Sequence, residues 1–375
     1  MISPSYFYQT LQKQGVDFFS GVPDSLLKNL CAYITDHSDR KNHIIAANEG
    51  AAVGLAAGYH LATGKIPVVY MQNSGLGNTV NPLLSLTDKE VYNIPVLLLI
   101  GWRGEPGIKD EPQHVKQGKV TLPLLEAMNI KTEVLVEEED CLAEQISRCF
   151  SYMNETGEPC ALIVRKGSFS EYELSVSPEP VLSLSREEAV RLVAGGLSKE
   201  DIVVSTTGMI SRELFEYRES VREGHERDFL TVGSMGHASQ IALGLALNAS
   251  HRKVYCFDGD GATIMHMGAL GIIGSQSPQN YYHIVFNNGA HDSVGGQPTI
   301  GFELNLPGIA RHCGYATVLS IDNKEGLQET VQRLPFLPSP VFLEIKVRKG
   351  ARRDLGRPTV TPVENKRKLM DFLKG

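Results

Sequence analysis

Apolar residues along this chain gather in short unbroken runs separated by longer amphipathic stretches. In the first half the runs are VDFFSG, HIIAA, PVVYMQ, PVLLLIG and ALIVRKG. Runs this short and this continuously apolar predict strands of a parallel sheet covered by helices on both faces. Between them the spacing changes to a helical one. Ser3-Pro4 reads as cap and first residue of a helix that ends near Gly15. Asp24-Ser25 precedes LLKNLCAYITD, and NEGAAVGLAAGYHLAT predicts a helix stopping at Gly64. The charge-rich stretch TEVLVEEED, 132–140, reads as an exposed connection. Residues 170–185 lack helical periodicity and carry Pro178 and Pro180, which predicts a linker. The alternation then restarts: REEAVRLVAGGL as helix, DIVVST as strand, SRELFEYRE as helix, DFLTV as strand, ASQIALGLALNAS as helix, then KVYCF, YYHIVF and PVFLEIKV as strands. Two such series predict an α/β protein of two tandem doubly wound parallel-sheet domains, 1–169 and 186–375.

Composition narrows the class. Of 375 residues 42% are hydrophobic, and the net charge of −7 argues against a nucleic-acid binder. The Lys- and Arg-rich stretch from Lys346 onward has no interleaved aromatics and reads as a solvated helix face plus a loop. The six cysteines form no CxxC pair, so no zinc or redox motif is indicated. No apolar run approaches the ~20 residues of a membrane span, and no signal peptide is visible at the N-terminus. A cytoplasmic protein with no membrane partner is the expectation.

Ligands of open parallel sheets bind beyond the carboxyl ends of strands, so the residues after each apolar run carry the chemistry. After VYCF comes Asp258-Gly259-Asp260-Gly261, and after YYHIVF comes Asn287-Asn288-Gly289. Twenty-five residues, 262 to 286, separate the two clusters, enough for one crossover that returns the chain to the same sheet edge. DGDG alone is an ordinary turn. Paired with NN at that spacing it offers a carboxylate, a carboxamide oxygen and free carbonyls, a donor set for a hard cation such as Mg²⁺, with glycines that let backbone approach a diphosphate. An EF-hand loop does not fit, because Ala262 and Thr263 occupy positions that it requires to be polar and Gly. The first strand turns hold no GxGxxG, and GxxxxGK[ST] is absent.

GDG followed some twenty-five residues later by NN resembles the diphosphate-binding signature of thiamine diphosphate enzymes, and the rest of the chain resembles their 2-oxo acid decarboxylase family. The resemblance implies thiamine diphosphate and Mg²⁺ as cofactors, with metal ligands Asp260 and Asn287 through their side chains and Gly289 through its carbonyl, and Gly259, Gly261 and Ala262 along the diphosphate. NEGAAVGLAAGYHLATGK and VVYMQNSGLGNTVNPL resemble the pyrimidine-binding domain, which implies that Glu49 contacts the aminopyrimidine and acts in catalysis. VGSMGHASQIALGLALN implies that Met235 is the apolar wedge under the cofactor, and TTGM implies that Gly208 and Met209 line the pyrimidine. The pyrimidine-binding domain would be 1–169 and the diphosphate-binding domain 186–375; the larger decarboxylases carry a further domain where this chain has only a linker.

GVPDSLL, WRGEPGIKDEPQH and NNGAHDSVGGQPT resemble the two-domain branch acting on phosphonopyruvate, with sulfopyruvate decarboxylase as close relative; a carboligase of the acetolactate synthase type shares the catalytic motif. The implied substrate is a small 2-oxo acid with two anionic groups. Asp24, Ser25, Asn73, Arg103 and His114 are the expected substrate contacts, Ser25 and His114 being catalytic as well, and Asp24 serving equally as a helix cap. Arg103, Lys109, His114, Lys116 and Lys119 are cationic candidates in a Gly/Pro-rich loop. His291 and Asp292 are expected near the diphosphate, moving protons or ordering the loop. The family's domains meet across subunits, which implies a homodimer or higher homo-oligomer with active sites at subunit interfaces.

Overall fold

The central strands form because they are runs of β-branched and other apolar residues that only a doubly covered sheet can bury. The computed structural model describes residues 1–175 and 180–374; part of the expected linker therefore lies outside the described residues. The chain divides into two units, Met1–Ser177 and Pro178–Gly375. In the first unit the strands are β1 (Phe19–Gly21), β2 (His43–Ile45), β3 (Val68–Gln72), β4 (Leu97–Gly101), β5 (Lys131–Val134) and β6 (Cys160–Val164). In the second they are β7 (Ile202–Ser205), β8 (Asp228–Leu230), β9 (Val254–Gly259), β10 (Tyr281–Asn287), β11 (Thr317–Ile321) and β12 (Val341–Lys346).

The first sheet runs β2-β1-β3-β4-β6-β5 and the second β8-β7-β9-β10-β12-β11, with every pairing parallel. Counted from the start of each unit, the two orders are the same. Each sheet carries a core on both faces. In the first unit one core is built on Leu97, Leu99 and Leu162 and the other on Leu98, Ile100 and Ile163, as alternation along β4 and β6 demands. In the second, Tyr255, Ile284 and Leu343 face one core, and Val254, Val285 and Phe342 the other.

Chain direction along the sheet reverses between β1 and β3, and between β7 and β9. Those reversals open the crevices in which this architecture places ligands. The residues following β1, β3 and β4, and β7, β9 and β10, are therefore the ones to inspect.

Two expectations need correction. TEVLVEEED is not a connection alone: Lys131–Val134 form edge strand β5, all four residues half-buried. Edge strand β11, equally half-covered, likewise has no continuous apolar run to announce it. The expected Gly/Pro-rich loop after β4 ends at Glu111; His114, Lys116 and Lys119 belong to the helix Pro112–Ala127, which tolerates Pro112 because it occupies a first-turn position. Among the described residues, no helix is long and apolar enough to cross a membrane.

Candidate active site

In the second unit, β9 delivers Asp260 and β10 delivers Asn287 to one place. Asp260 opens the short helix Asp260–Met265 and is 2% exposed. Its Oδ2 accepts from the Thr299 hydroxyl, and Oδ1 from the Asn288 amide at 3.4 Å. Burial pushes its pKa up to about 6. Asn287 is fully buried and its amide orientation is fixed: Nδ2 donates to the Gly301 carbonyl and to Glu344 Oε1, each at 2.8 Å, which leaves Oδ1 to accept from Gly289 N at 3.1 Å. A Cβ built on Gly301 would stand 2.4 Å from Asp260 Oδ2 and 2.6 Å from Asn287 Oδ1. The two oxygens thus converge against a glycine where any side chain would intrude. Gly289, with φ +64°, offers its carbonyl to Thr299 N at 2.9 Å.

The donor chemistry suits the implied groups. A buried carboxylate and a carboxamide oxygen side by side are hard ligands for Mg²⁺, and a cradle that only glycine permits leaves room for it. Gly261 is packed under His291, whose ring atoms would lie 3.0 and 3.2 Å from an added Cβ, and under Met235 Cε at 3.4 Å. Met235, Gly261 and His291 are therefore brought together. Gly208, at φ +103°, ends the β7 turn and begins the helix Met209–Ser220; an added Cβ would sit 3.6 Å from Ser293. Gly259 and Ala262 flank Asp260 on the same turn. Asp258 orders that turn, accepting from Gly259 N at 3.0 Å and Thr263 Oγ1 at 3.2 Å, with His283 Nε2 3.2 Å away.

His291 keeps some accessible surface, but its ring is crowded on most sides. Loss of hydration pulls its pKa down to about 4, with Asp292 opposing. Asp292 is the hub of a clamp that sequence reasoning missed. Its Oδ2 accepts from Arg186 Nη1 at 2.7 Å, Asn288 Nδ2 at 2.7 Å and Gly350 N at 3.0 Å. Arg186 is in turn gripped by Glu213. Nothing in REEAV or SRELF distinguishes those residues from surface helix charges.

In the first unit, Asn48 caps the helix Glu49–Thr63 by accepting from Ala51 N at 2.9 Å, which puts Glu49 in its first turn. Glu49 is 6% exposed. Asn78 Nδ2 donates to its Oε2 at 2.7 Å, while Oε1 lies 2.4 Å from where a Gly75 Cβ would be. Both partners come from NSGLGN after β3.

The turns after β1, β3 and β4 form a second cluster. Asp24 is wholly buried; its Oδ2 caps the turn by accepting from Leu26 N at 2.9 Å, and its Oδ1 is buried without a hydrogen-bond partner. Ser25 Oγ accepts from Arg103 Nη1 at 2.8 Å. Arg103 also holds Asp110 through Nε at 2.8 Å and Nη2 at 2.5 Å. Asn73 is 2% exposed and brackets the Arg103 backbone, donating to its carbonyl at 2.8 Å and accepting from its amide at 3.2 Å. His114 is buried in the first turn of its helix, its carbonyl pressed against Gly104, whose φ of +69° and lack of room for a Cβ both require glycine. Trp102 is core, its indole N–H donating to Gly118 O at 2.9 Å. Lys109, Lys116 and Lys119 are exposed.

Comparison with known proteins finds relatives for both units. Residues 4–123 match the family described as thiamine pyrophosphate enzyme, N-terminal TPP binding domain, and residues 206–345 match the C-terminal TPP binding domain. A phosphonopyruvate decarboxylase of Streptomyces viridochromogenes is 33% identical over 390 residues, covering 100% of this chain and 95% of the relative. One from Streptomyces hygroscopicus is 32% identical, covering 99% and 94%. A sulfopyruvate decarboxylase of Methanosarcina acetivorans is 28% identical, covering 91% and 90%. With both cofactor-binding domains in order and a likeness that runs its whole length, the chain belongs to the thiamine diphosphate-dependent 2-oxo acid decarboxylase family.

Proposed function

We propose that this protein is a Mg²⁺-dependent carboxy-lyase that removes CO₂ from 3-phosphonopyruvate to give phosphonoacetaldehyde, a step of phosphonate biosynthesis. The observation that carries the reading is the convergence of Asp260 Oδ2 and Asn287 Oδ1 on Gly301 in a chain similar along its whole length to a phosphonopyruvate decarboxylase. When bound, thiamine diphosphate supplies a carbon nucleophile and an electron sink for the pair released with CO₂. Asp260, Asn287 and the Gly289 carbonyl would hold Mg²⁺, and Gly259, Gly261 and Ala262 would receive the diphosphate. Met235, Gly208 and Met209 would support the rings. Glu49, oriented by Asn78, would hold a proton at the pyrimidine. Ser25 and Arg103 would face the substrate, Asn73 would fix Arg103 in place, and Asp24 would shape the turn beneath them. His114 in the first unit and His291 in the second are the imidazoles that would shuttle protons, His291 being kept neutral by burial. Asp292 would fasten its loop. The working enzyme is inferred to be a homo-oligomer of at least two copies.

Asp260→Ala is expected to abolish Mg²⁺-dependent cofactor binding in calorimetry. Glu49→Gln is expected to keep binding and lose about a hundredfold or more in turnover; unchanged turnover would sink the mechanism. The sulfopyruvate decarboxylase relative covers 91% of the chain and supports sulfopyruvate as the second reading. Steady-state kinetics on phosphonopyruvate, sulfopyruvate and pyruvate side by side decides between them.

A further inference from the structure

Arg103 leaves the end of β4, with its backbone bracketed by Asn73 at the end of β3, and its guanidinium reaches Ser25 beyond the end of β1. One edge of the guanidinium is committed to Ser25. The other edge, Nε and Nη2, forks onto Asp110, and the Gly104 amide donates to the same carboxylate at 2.8 Å. The Glu111 amide does so too, at 2.8 Å, but it belongs to the segment that carries Asp110. A planar fork plus a backbone N–H is the donor set that receives a carboxylate or a tetrahedral oxyanion from solution. Here a carboxylate of the chain already sits in it.

The pair is reachable from solvent, with side chains 19% and 15% exposed. Asp110 ends a short loop whose tip, Pro106 to Lys109, is exposed and turns on Gly107 at φ +88°. The receptor side, by contrast, is anchored by Asn73 and Ser25. One partner is therefore tied to the strand ends and the other sits on a loop with an exposed tip.

We propose that Arg103 with the Gly104 amide is the seat for an anionic group of the substrate, and that Asp110 is an internal competitor which fills the seat until substrate displaces it. The inference rests on the proposed function, which supplies a substrate with two anionic groups. Arg103 holds the Asp110 carboxyl well below the usual carboxylate range, so the competitor stays charged at any pH near neutrality. A tethered carboxylate acts at high effective concentration. It excludes weakly held monoanions and yields to a ligand that brings two charges or a second anchor. Asp110 thereby sets discrimination between a phosphonate and a sulfonate or a plain 2-oxo acid.

The test uses the holoenzyme with Asp110→Asn, Asp110→Ala, Arg103→Met and the double variant Arg103→Met/Asp110→Asn. The readouts are KM and kcat for phosphonopyruvate and pyruvate, and calorimetric binding of methylphosphonate, an unreactive probe. Removing the competitor is expected to lower KM for phosphonopyruvate and Kd for methylphosphonate about five- to tenfold, with kcat less affected and with pyruvate gaining on phosphonopyruvate. Arg103→Met is expected to abolish methylphosphonate binding and to cancel the gain in the double variant. A rise of KM and Kd in both Asp110 variants overturns the proposal, because Asp110 then serves to aim Arg103. Unchanged methylphosphonate binding in Arg103→Met also overturns it. Should Asp110→Ala not fold, Asp110→Asn, which keeps the shape and the amide contacts, decides alone. Should the wild-type holoenzyme turn over no phosphonopyruvate, the functional reading fails, while methylphosphonate binding still decides whether Arg103 is an anion seat held shut by Asp110.

Discussion

Asp24 and His43 show how single buried groups set the acid response of the first unit. Burial lifts the Asp24 pKa to about 6, against the Leu26 amide and the Arg103 charge. An acid that titrates higher folded than unfolded (~3.9) binds protons better in the folded chain. It therefore subtracts stability above about pH 6, and the penalty fades as pH falls towards 4. His43, bonded to the Tyr70 hydroxyl at 2.8 Å, runs the other way. Burial pulls its pKa down to about 4, so the unfolded chain binds its proton better, and stability is lost as pH falls from ~6.5 towards 4. The two slopes oppose each other over one interval. Asp24→Asn keeps an oxygen for Leu26 and is expected to gain on the order of 2 kcal/mol at pH 8, and to steepen the loss in acid; scanning calorimetry at pH 8 and pH 5 reads both. A less stable Asp24→Asn at pH 8 would mean that attraction to Arg103 outweighs the burial cost. Gly301→Ala tests the other cluster: a methyl group against Asp260 Oδ2 and Asn287 Oδ1 is expected to weaken Mg²⁺ binding at least about tenfold with the thermal transition of the unit retained. GDG and NN are legible in the sequence because small polar residues directly after apolar runs have few other uses. Asp110, Arg186 and Thr299 are not, because a charged or hydroxyl residue in a loop or first helical turn looks the same whether it faces water or a partner.

Elements were legible in proportion to how fully they are buried. β3, β4, β6, β9 and β10 are covered on both faces and appear as apolar runs. β5 and β11, at corresponding edges, are half-covered and carry Lys131, Glu133 and Ser320 among their few residues, so no pattern separates them from loop. The segment 288–296 is an element of a different kind, fastened by turn hydrogen bonds and, at Asp292, by a buried ion cluster. Arg186 is 5% exposed and Glu213 2% by side chain. Arg186→Met would leave Glu213 and Asp292 facing each other without a counter-charge. Breaking a buried pair this way costs about 3–5 kcal/mol, and here the loss is expected as a lower thermal midpoint together with faster hydrogen exchange in 288–296. Normal exchange in that segment would mean that Asn288 and Gly350 suffice to hold Asp292.

At the scale of the whole molecule, the chain divides into two units that are alike in strand order. Cutting the chain between residues 177 and 178 is expected to give two polypeptides that each melt cooperatively, with thiamine diphosphate-dependent activity regained on mixing; a half with no thermal transition of its own would show that it depends on the other. The shared order has a further consequence. Ser25 and Gly208 follow the first strand of their units, Asn73 and Asp260 the third, Arg103 and Gly289 the fourth. Three equivalent strand ends present a hydroxyl, an amide and a cation in one unit, and a positive-φ turn and oxygen donors in the other. The polar groups that would set the sign of each half's ligand therefore lie in three short loops and, with Asn287, at the last residue of one strand. Exchanging those loops between the halves would carry most of the charge preference with them and leave behind only what Asn287 and Glu344 hold in the strands.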